Sequence, residues 1–209
     1  MPLTPADDPG AGSAPSALVA RQPILDAAGQ VVAYELLYRG APGTGERATA
    51  RVMHAAFGDI GLENLVGARP AYINVTAKLL LDTGELPFPP SAVVLELLED
   101  ETVSPDLLER LRELADGGYV LALDDFVFRP TAGDLLELAS IVKVDIRAGG
   151  LEHMRDQAAL LAGHDVTMLA EKVEDQREFE ACRRMGYELF QGFYFCRPVT
   201  VAGRQSPVS

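Results

Sequence analysis

The sequence predicts an α/β fold: a (β/α)8 TIM-like barrel whose opening hairpin makes the first strand antiparallel. Three observations predict it. Short apolar, strand-like segments recur eight times from Leu18 onward. From the third segment onward helical patterns follow, and strands alternating with helices run parallel, joined by crossovers. Polar residues recur in the C-terminal halves of strands two to eight, where the strands of a parallel barrel converge on one mouth. An open doubly wound sheet is the alternative architecture.

The elements follow in order. LVARQPIL and VVAYELLYRG flank the turn signal Asp26-Ala27-Ala28-Gly29 and read as a hairpin. After the Gly/Pro stretch APGTG, a helical pattern covers roughly 46–66, with Val52, Ala55, Ala56, Ile60 and Leu62 as its apolar positions. PAYINVT and SAVVLELLED read as strands three and four. Ser104-Pro105 then supplies a cap and first turn for a helix carrying Leu107, Leu108, Leu111 and Leu114, closed by Gly117-Gly118. YVLALDDF is strand five, SIVKVDI strand six, VTMLAEKVE strand seven and LFQGFYF strand eight, with helices expected at about 133–139, 151–162 and 175–185 between them.

Composition narrows the function. The chain has 209 residues, 48% of them apolar, enough for one sizeable core. Residues 1–16 read as a disordered tail, 17–198 as the barrel and 199–209 (VTVAGRQSPVS) as a linker-like tail. A formal net charge of −13 argues against DNA or RNA as a partner, since backbone binding wants a basic patch. No apolar run reaches the ~18 residues of a membrane span. The N-terminus lacks the basic region of a secretory signal, so Cys182 and Cys196 are expected to be reduced thiols in a cytoplasmic protein.

The polar residues carry the chemistry. Strand two has Glu35, strand three Asn74, strand four Glu96 and, at its exit, Glu99. Strand five ends in Asp124 and Asp125, strand six holds Lys143 and Asp145, strand seven Glu171 and Glu174, and strand eight Gln191. Alternation puts Tyr72 with Asn74, Lys143 with Asp145, and Leu169 with Glu171 on shared faces. Taken singly, a carboxylate at a strand end is ordinarily solvated or caps a helix. Lys143 alone could pair with Asp145. The coincidence over seven successive strands argues for a shared volume instead. There the carboxylates repel one another, and Lys143 and Arg39 are too few to balance Glu35, Glu96, Asp124, Asp125 and Glu171. Hard divalent cations such as Mg²⁺, Mn²⁺ or Ca²⁺ are the economical solution. Two ions roughly 3.5–4 Å apart would suit phosphoester cleavage.

The segments ARQPILDAAGQVVAYELLYR, VVLELLED, ALDDFVF, IVKVD, LAEKVE and FQGFYFCRP, six in order over about residues 18–198, resemble an EAL domain. EAL domains are bacterial modules that hydrolyse or sense cyclic di-GMP, and the variety found in EAL–HDOD signalling proteins is the most similar. The resemblance implies an EAL-type barrel with Glu35, Asn74, Glu96 and Asp124 as metal ligands and Asp125 serving a second metal, Mg²⁺ or Mn²⁺. It implies that Arg39 contacts substrate phosphate and that Lys143 orients or deprotonates the attacking water. Glu171 and Glu174 correspond to the family's glutamate pair on strand seven, with Glu174 on the substrate side. Gln191 corresponds to the glutamine at the site floor, and Glu99 to the glutamate that steadies the loop after strand five. That loop departs from the family pattern at Val127–Gly133, as do Leu36, Leu98 and Lys172. The implied activities are hydrolysis of cyclic di-GMP to linear pGpG, or, in an inactive domain, reception of cyclic di-GMP or docking of an HDOD-like partner. A homodimer is implied as well.

Overall fold

A computed structural model describes residues 19–38, 61–98, 103–126 and 133–201. The hairpin forms as expected, from β1 (Val19–Asp26) and β2 (Val31–Tyr38). Its turn is fixed by Asp26, whose Oδ1 accepts from the backbone N–H groups of Ala28 and Gln30, while Gly29 takes a left-handed φ of 77°. Then follow α1 (Leu62–Val66), β3 (Ala71–Val75), α2 (Ala77–Asp82), β4 (Val93–Leu98), α3 (Pro105–Asp116), β5 (Val120–Asp124), α4 (Gly133–Leu138) and β6 (Ile141–Asp145). The chain continues through α5 (Gly150–Leu161), β7 (Thr167–Glu171), α6 (Gln176–Arg184), β8 (Leu189–Phe190) and β9 (Val199–Val201).

Strands β2 to β8 pair in parallel, each with the next. Strand β1 is antiparallel to β2 on one side and to β8 on the other, which closes the ring. The barrel is therefore the predicted one, and the open sheet is excluded. Inside it lies one apolar layer: Ile24, Ala33, Tyr72, Val94, Ala122, Ile141 and Leu169. Outward-facing residues of the same strands, such as Leu36, Ile73, Leu95, Leu121, Val142 and Phe190, join the helices in a larger core. Leu107, Leu111 and Leu114 bury the face of α3 predicted from their spacing, and Ser104 Oγ accepts from Leu107 N at 3.2 Å as its N-cap.

Three expectations are corrected. The seventh and eighth strands are shorter than VTMLAEKVE and LFQGFYF. Strand β7 stops at Glu171 because Lys172 adopts a left-handed φ of 57°. After β8, Gln191 and Gly192 turn against the segment after β7: Val173 N donates to Gln191 O, and Tyr194 N donates to Val173 O, both at 3.0 Å. A Cβ on Gly192 would lie 2.1 Å from Val173 O, so only glycine permits this approach. Third, Val199–Val201, read as the start of a linker, pair antiparallel with Val19–Arg21. Of the helix expected at 46–66, only Leu62–Val66 falls among the described residues.

Candidate functional site at the barrel mouth

One pleat above the apolar layer, every barrel strand contributes a polar side chain. Glu35 stands two residues past Ala33, Asn74 past Tyr72, Glu96 past Val94, Asp124 past Ala122, Lys143 past Ile141, Glu171 past Leu169 and Gln191 past Leu189. With a side-chain period of two, these positions share the inner face. On the reversed β1, Gln22 lies two residues before Ile24 and meets the same level, opposite Glu35 in register. Sequence reasoning missed Gln22. The C-terminal halves of the parallel strands reach the mouth, whereas the antiparallel β1 brings its N-terminal half there. The reversal was legible in the hairpin signal, so Gln22 was findable.

Lys143 is the centre of the ring. Its side chain is fully buried, and Nζ lies 2.6 Å from Glu96 Oε1, 2.8 Å from Asp124 Oδ1, 3.0 Å from Glu171 Oε1 and 3.9 Å from Glu35 Oε1. Asn74 Nδ2 donates to Glu96 Oε2 at 3.3 Å, and Gln191 Nε2 donates to Glu35 Oε2 at 2.7 Å. Gln22 Nε2 donates to the Cys196 carbonyl at 3.1 Å, tying the ring to the segment before β9. The structure thus brings Glu35, Asn74, Glu96, Asp124, Lys143, Glu171 and Gln191 together. Lys143 does not pair with Asp145, whose carboxylate instead binds Lys172 and caps the backbone N–H of Arg147.

The two adjacent aspartates diverge. Asp124 turns inward onto Lys143, while Asp125 adopts a left-handed φ of 49° and leaves its side chain 57% exposed. Asp125 therefore does not add its charge to the buried volume, contrary to the expectation that all five acids share it. Carboxylate oxygens of Asp124, Asp125 and Glu171 nonetheless lie within 4.8 Å of one another, Asp125 approaching from outside. Glu174 sits further out, paired with Arg147 at 3.5 Å. Arg39 and Glu99 fall outside the described residues, as do Val127–Thr131 and Ala132 of the divergent loop.

Four carboxylates around one ammonium cannot all be anionic at low cost. Burial pushes the Glu171 carboxyl up to about 8, against the lowering effect of Lys143, with Asp124 and Glu35 adding to the rise. Burial likewise raises Glu96 well above the ordinary range, with Lys143 opposing and Glu35 and Asp124 reinforcing. For Lys143 burial alone would favour the neutral amine, but Glu171, Glu35, Glu96 and Asp124 together raise it well above its usual value. It is a fixed cation at neutral pH. Among the described residues, Lys143 and protons on the raised carboxyls offset part of the ring's negative charge. A divalent cation still fits the donor set. All candidates are hard oxygens, and the buried Glu171 Oε2 and Gln191 Oε1 have no hydrogen-bond partner.

Above the ring opens a cleft of about 510 Å³. Besides the ring it is lined by Asp125, Arg147, Lys172, Glu174, Phe193 and Pro198. Arg147 and Lys172 bring positive charge to an otherwise acidic mouth. Phe193 is half-exposed under the guanidinium of Arg197, 4.4 Å from its ring centroid. No helix among the described residues is long and apolar enough to cross a membrane.

Comparison with known proteins agrees with this geometry. The profile of the EAL domain family matches residues 69–198. YuxH of Bacillus subtilis is 36% identical over 196 residues, covering 88% of this chain and 48% of YuxH. The cyclic di-GMP phosphodiesterase CdgJ of Vibrio cholerae is 36% identical over 195 residues, covering 89% of this chain and 45% of CdgJ. The chain therefore spans about half the length of these relatives. Among solved structures, Klebsiella pneumoniae BlrP1 with manganese and cyclic di-GMP superposes with a TM-score of 0.70 at 24% identity, covering 93% of this chain and 58% of that one. Bacillus subtilis YkuI with cyclic di-GMP and calcium gives 0.71 at 20% identity, covering 90% and 57%. At these identities the two superpositions speak to the fold alone. Fold, polar ring, family profile and relatives lead to one statement: this chain belongs to the EAL domain family.

Proposed function

We propose that the barrel mouth binds cyclic di-GMP together with Mg²⁺ or Mn²⁺ and hydrolyses one phosphodiester to give linear pGpG. The observation that carries the reading is the eight-strand polar ring at the floor of a cleft, with the buried oxygens Glu171 Oε2 and Gln191 Oε1 lacking hydrogen-bond partners. The ligand names attached to BlrP1, YkuI and CdgJ support the choice of nucleotide. Glu35, Asn74, Glu96 and Asp124 would hold the first ion, with Asp125 reaching a second. When bound, divalent ions supply positive charge to the phosphoryl oxygens and make water a better nucleophile.

The chain's own residues then divide the remaining work. In the hydrolysis the water oxygen bonds to phosphorus, the bond from phosphorus to the 3′ oxygen breaks, and that oxygen leaves as a hydroxyl. Lys143, held cationic by its neighbours, orients the water and does not take its proton. Glu171, whose buried carboxyl lies 3.0 Å from Lys143 Nζ, would accept that proton once the positive charge of bound ions has ionised it, and would return it to the departing 3′ oxygen. Gln191 fixes Glu35, Glu174 contacts the ligand from the rim, and Arg39 is the proposed phosphate contact. The protein works in the cytoplasm in this reading, consistent with Cys182 and Cys196 as free thiols. An HDOD-like domain and a second copy of the chain are the proposed partners.

Product analysis with cyclic di-GMP in Mn²⁺, beside calorimetry in Ca²⁺, tests it. Metal-dependent formation of pGpG is expected. Nucleotide heat without product would make the domain a receptor. No heat at high protein concentration would leave the barrel a scaffold for a partner domain.

A further inference from the structure

Just outside the buried ring lies a second, smaller charge cluster. Lys172 follows β7 directly, and its Nζ contacts Asp145 Oδ2 and lies 3.7 Å from Asp125 Oδ1. Asp125 is also the outer member of the group whose carboxylate oxygens converge with those of Asp124 and Glu171. A divalent ion shared by that group and the ammonium of Lys172 would thus draw on the same carboxylate. Both Lys172 and Asp125 hold left-handed backbones, an unusual conformation for residues with a Cβ. On the Lys172 side the conformation is fixed by the next residue: buried Val173 is bonded through N–H and C=O to Gln191 and Tyr194 of the turn after β8. The lysine is therefore presented to the aspartates by a clamped backbone, and is not a loose surface chain that happens to lie near them.

We propose that Lys172 is a built-in counter-cation for Asp125 and Asp145, and that it weakens divalent-ion binding at the outer position of the mouth. The inference rests on the reading of the mouth as a metal centre. Electrostatics gives the direction. A positive charge about 4 Å from a ligating carboxylate repels an incoming dication and neutralises the donor it needs. Because both side chains are about half exposed, solvent moderates the effect without abolishing it. Lys172 is in this sense a positioning residue: it sets which carboxylates are free to bind an ion.

The test is a Mn²⁺ titration by calorimetry of the full chain after dialysis against EDTA, comparing wild type with Lys172→Asn, Lys172→Arg and Lys172→Asn/Asp125→Asn. Asparagine tolerates the left-handed backbone and removes the charge. Lys172→Asn is expected to bind Mn²⁺ at the outer position at least about tenfold tighter than wild type. Lys172→Arg should match wild type, and the double variant should lose the gain. A purely structural role for Lys172 would move stability and not the number or affinity of bound ions. Equal isotherms for wild type and Lys172→Asn, with metal bound in both, would overturn the inference and leave the metal centre standing. Equal gains from Asn and Arg would overturn it too, by showing that charge is not the cause. Absence of Mn²⁺ binding in every variant would remove the metal centre and the inference together. Circular dichroism checks folding, and Lys172→Gly replaces the asparagine variant if that one misfolds.

Discussion

The barrel interior has two storeys built by the same strands, and they obey opposite rules. The lower holds Ile24, Ala33, Tyr72, Val94, Ala122, Ile141 and Leu169, packed as an ordinary core. The upper, two residues further along each parallel strand, holds four acids, two amides and Lys143, with Gln22 added from β1. Side-chain direction is identical in the two storeys, so facing inward does not by itself dictate apolarity. Distance from the mouth does. Below, side chains pack among apolar neighbours; above, they border an open cleft. The lower storey also shields the upper from beneath, and that burial raises the Glu96 and Glu171 carboxyls.

Substitutions in one storey should leave the other's signature intact. The largest effect is expected from Lys143→Met. Removing the one cation among the described residues that reaches four carboxylates should cost about 3–5 kcal/mol of metal-free stability in denaturant titration, with partial recovery in Mn²⁺. If the variant is as stable as wild type in EDTA, the upper storey is not held by that lysine. Leu169→Ala in the lower storey should cost about 2–5 kcal/mol through a cavity, yet leave Mn²⁺ affinity unchanged once the variant is folded. A large change in metal affinity there would erase the distinction between the storeys.

A pH series sharpens the comparison. The Glu171 carboxyl, raised to about 8 by burial, holds its proton in the folded protein where the unfolded chain has lost it. Metal-free stability should therefore fall as pH rises from the ordinary carboxylate range to about 8, then level off for this group. Glu171→Gln should reduce that slope, leaving the part due to Glu96, read from melting temperatures in EDTA; an unchanged slope would assign it elsewhere. The smallest effect belongs outside both storeys. Asp82→Ala breaks an exposed pair with Lys78, 3.7 Å apart on α2, and should change stability by less than about 0.5 kcal/mol.

Most of the barrel was legible because its signals are local. The Asp26–Gly29 turn, the cap at Ser104 and the leucine spacing of α3 all depend on neighbours within a few residues. The ring from Glu35 to Gln191 was legible because strand alternation and parallel pairing carry position reliably from sequence to space. What escaped depends on backbone geometry between distant segments. The divergence of Asp124 and Asp125 follows from a left-handed residue that alternation treats as one more step of strand. Lys172 shows in the sequence only as a departure from the family pattern; its reach to Asp125 and Asp145 comes from the clamp between Val173 and the turn at Gly192. Strand β9 was hidden because VTV is too short to read as a strand without β1 beside it.

That last strand has a practical consequence. Val19 and Val201 are direct partners across the β1–β9 ladder, so the described fold starts and stops at neighbouring points. A short tether between those points would turn the ring into a circle without stretching it, and new termini cut at the exposed Gly163 turn after α5 should yield a permuted barrel with the same mouth. By the same geometry, the chain enters at Val19 and leaves at Val201 on one side of the barrel, three residues along β1 from Gln22 of the polar ring.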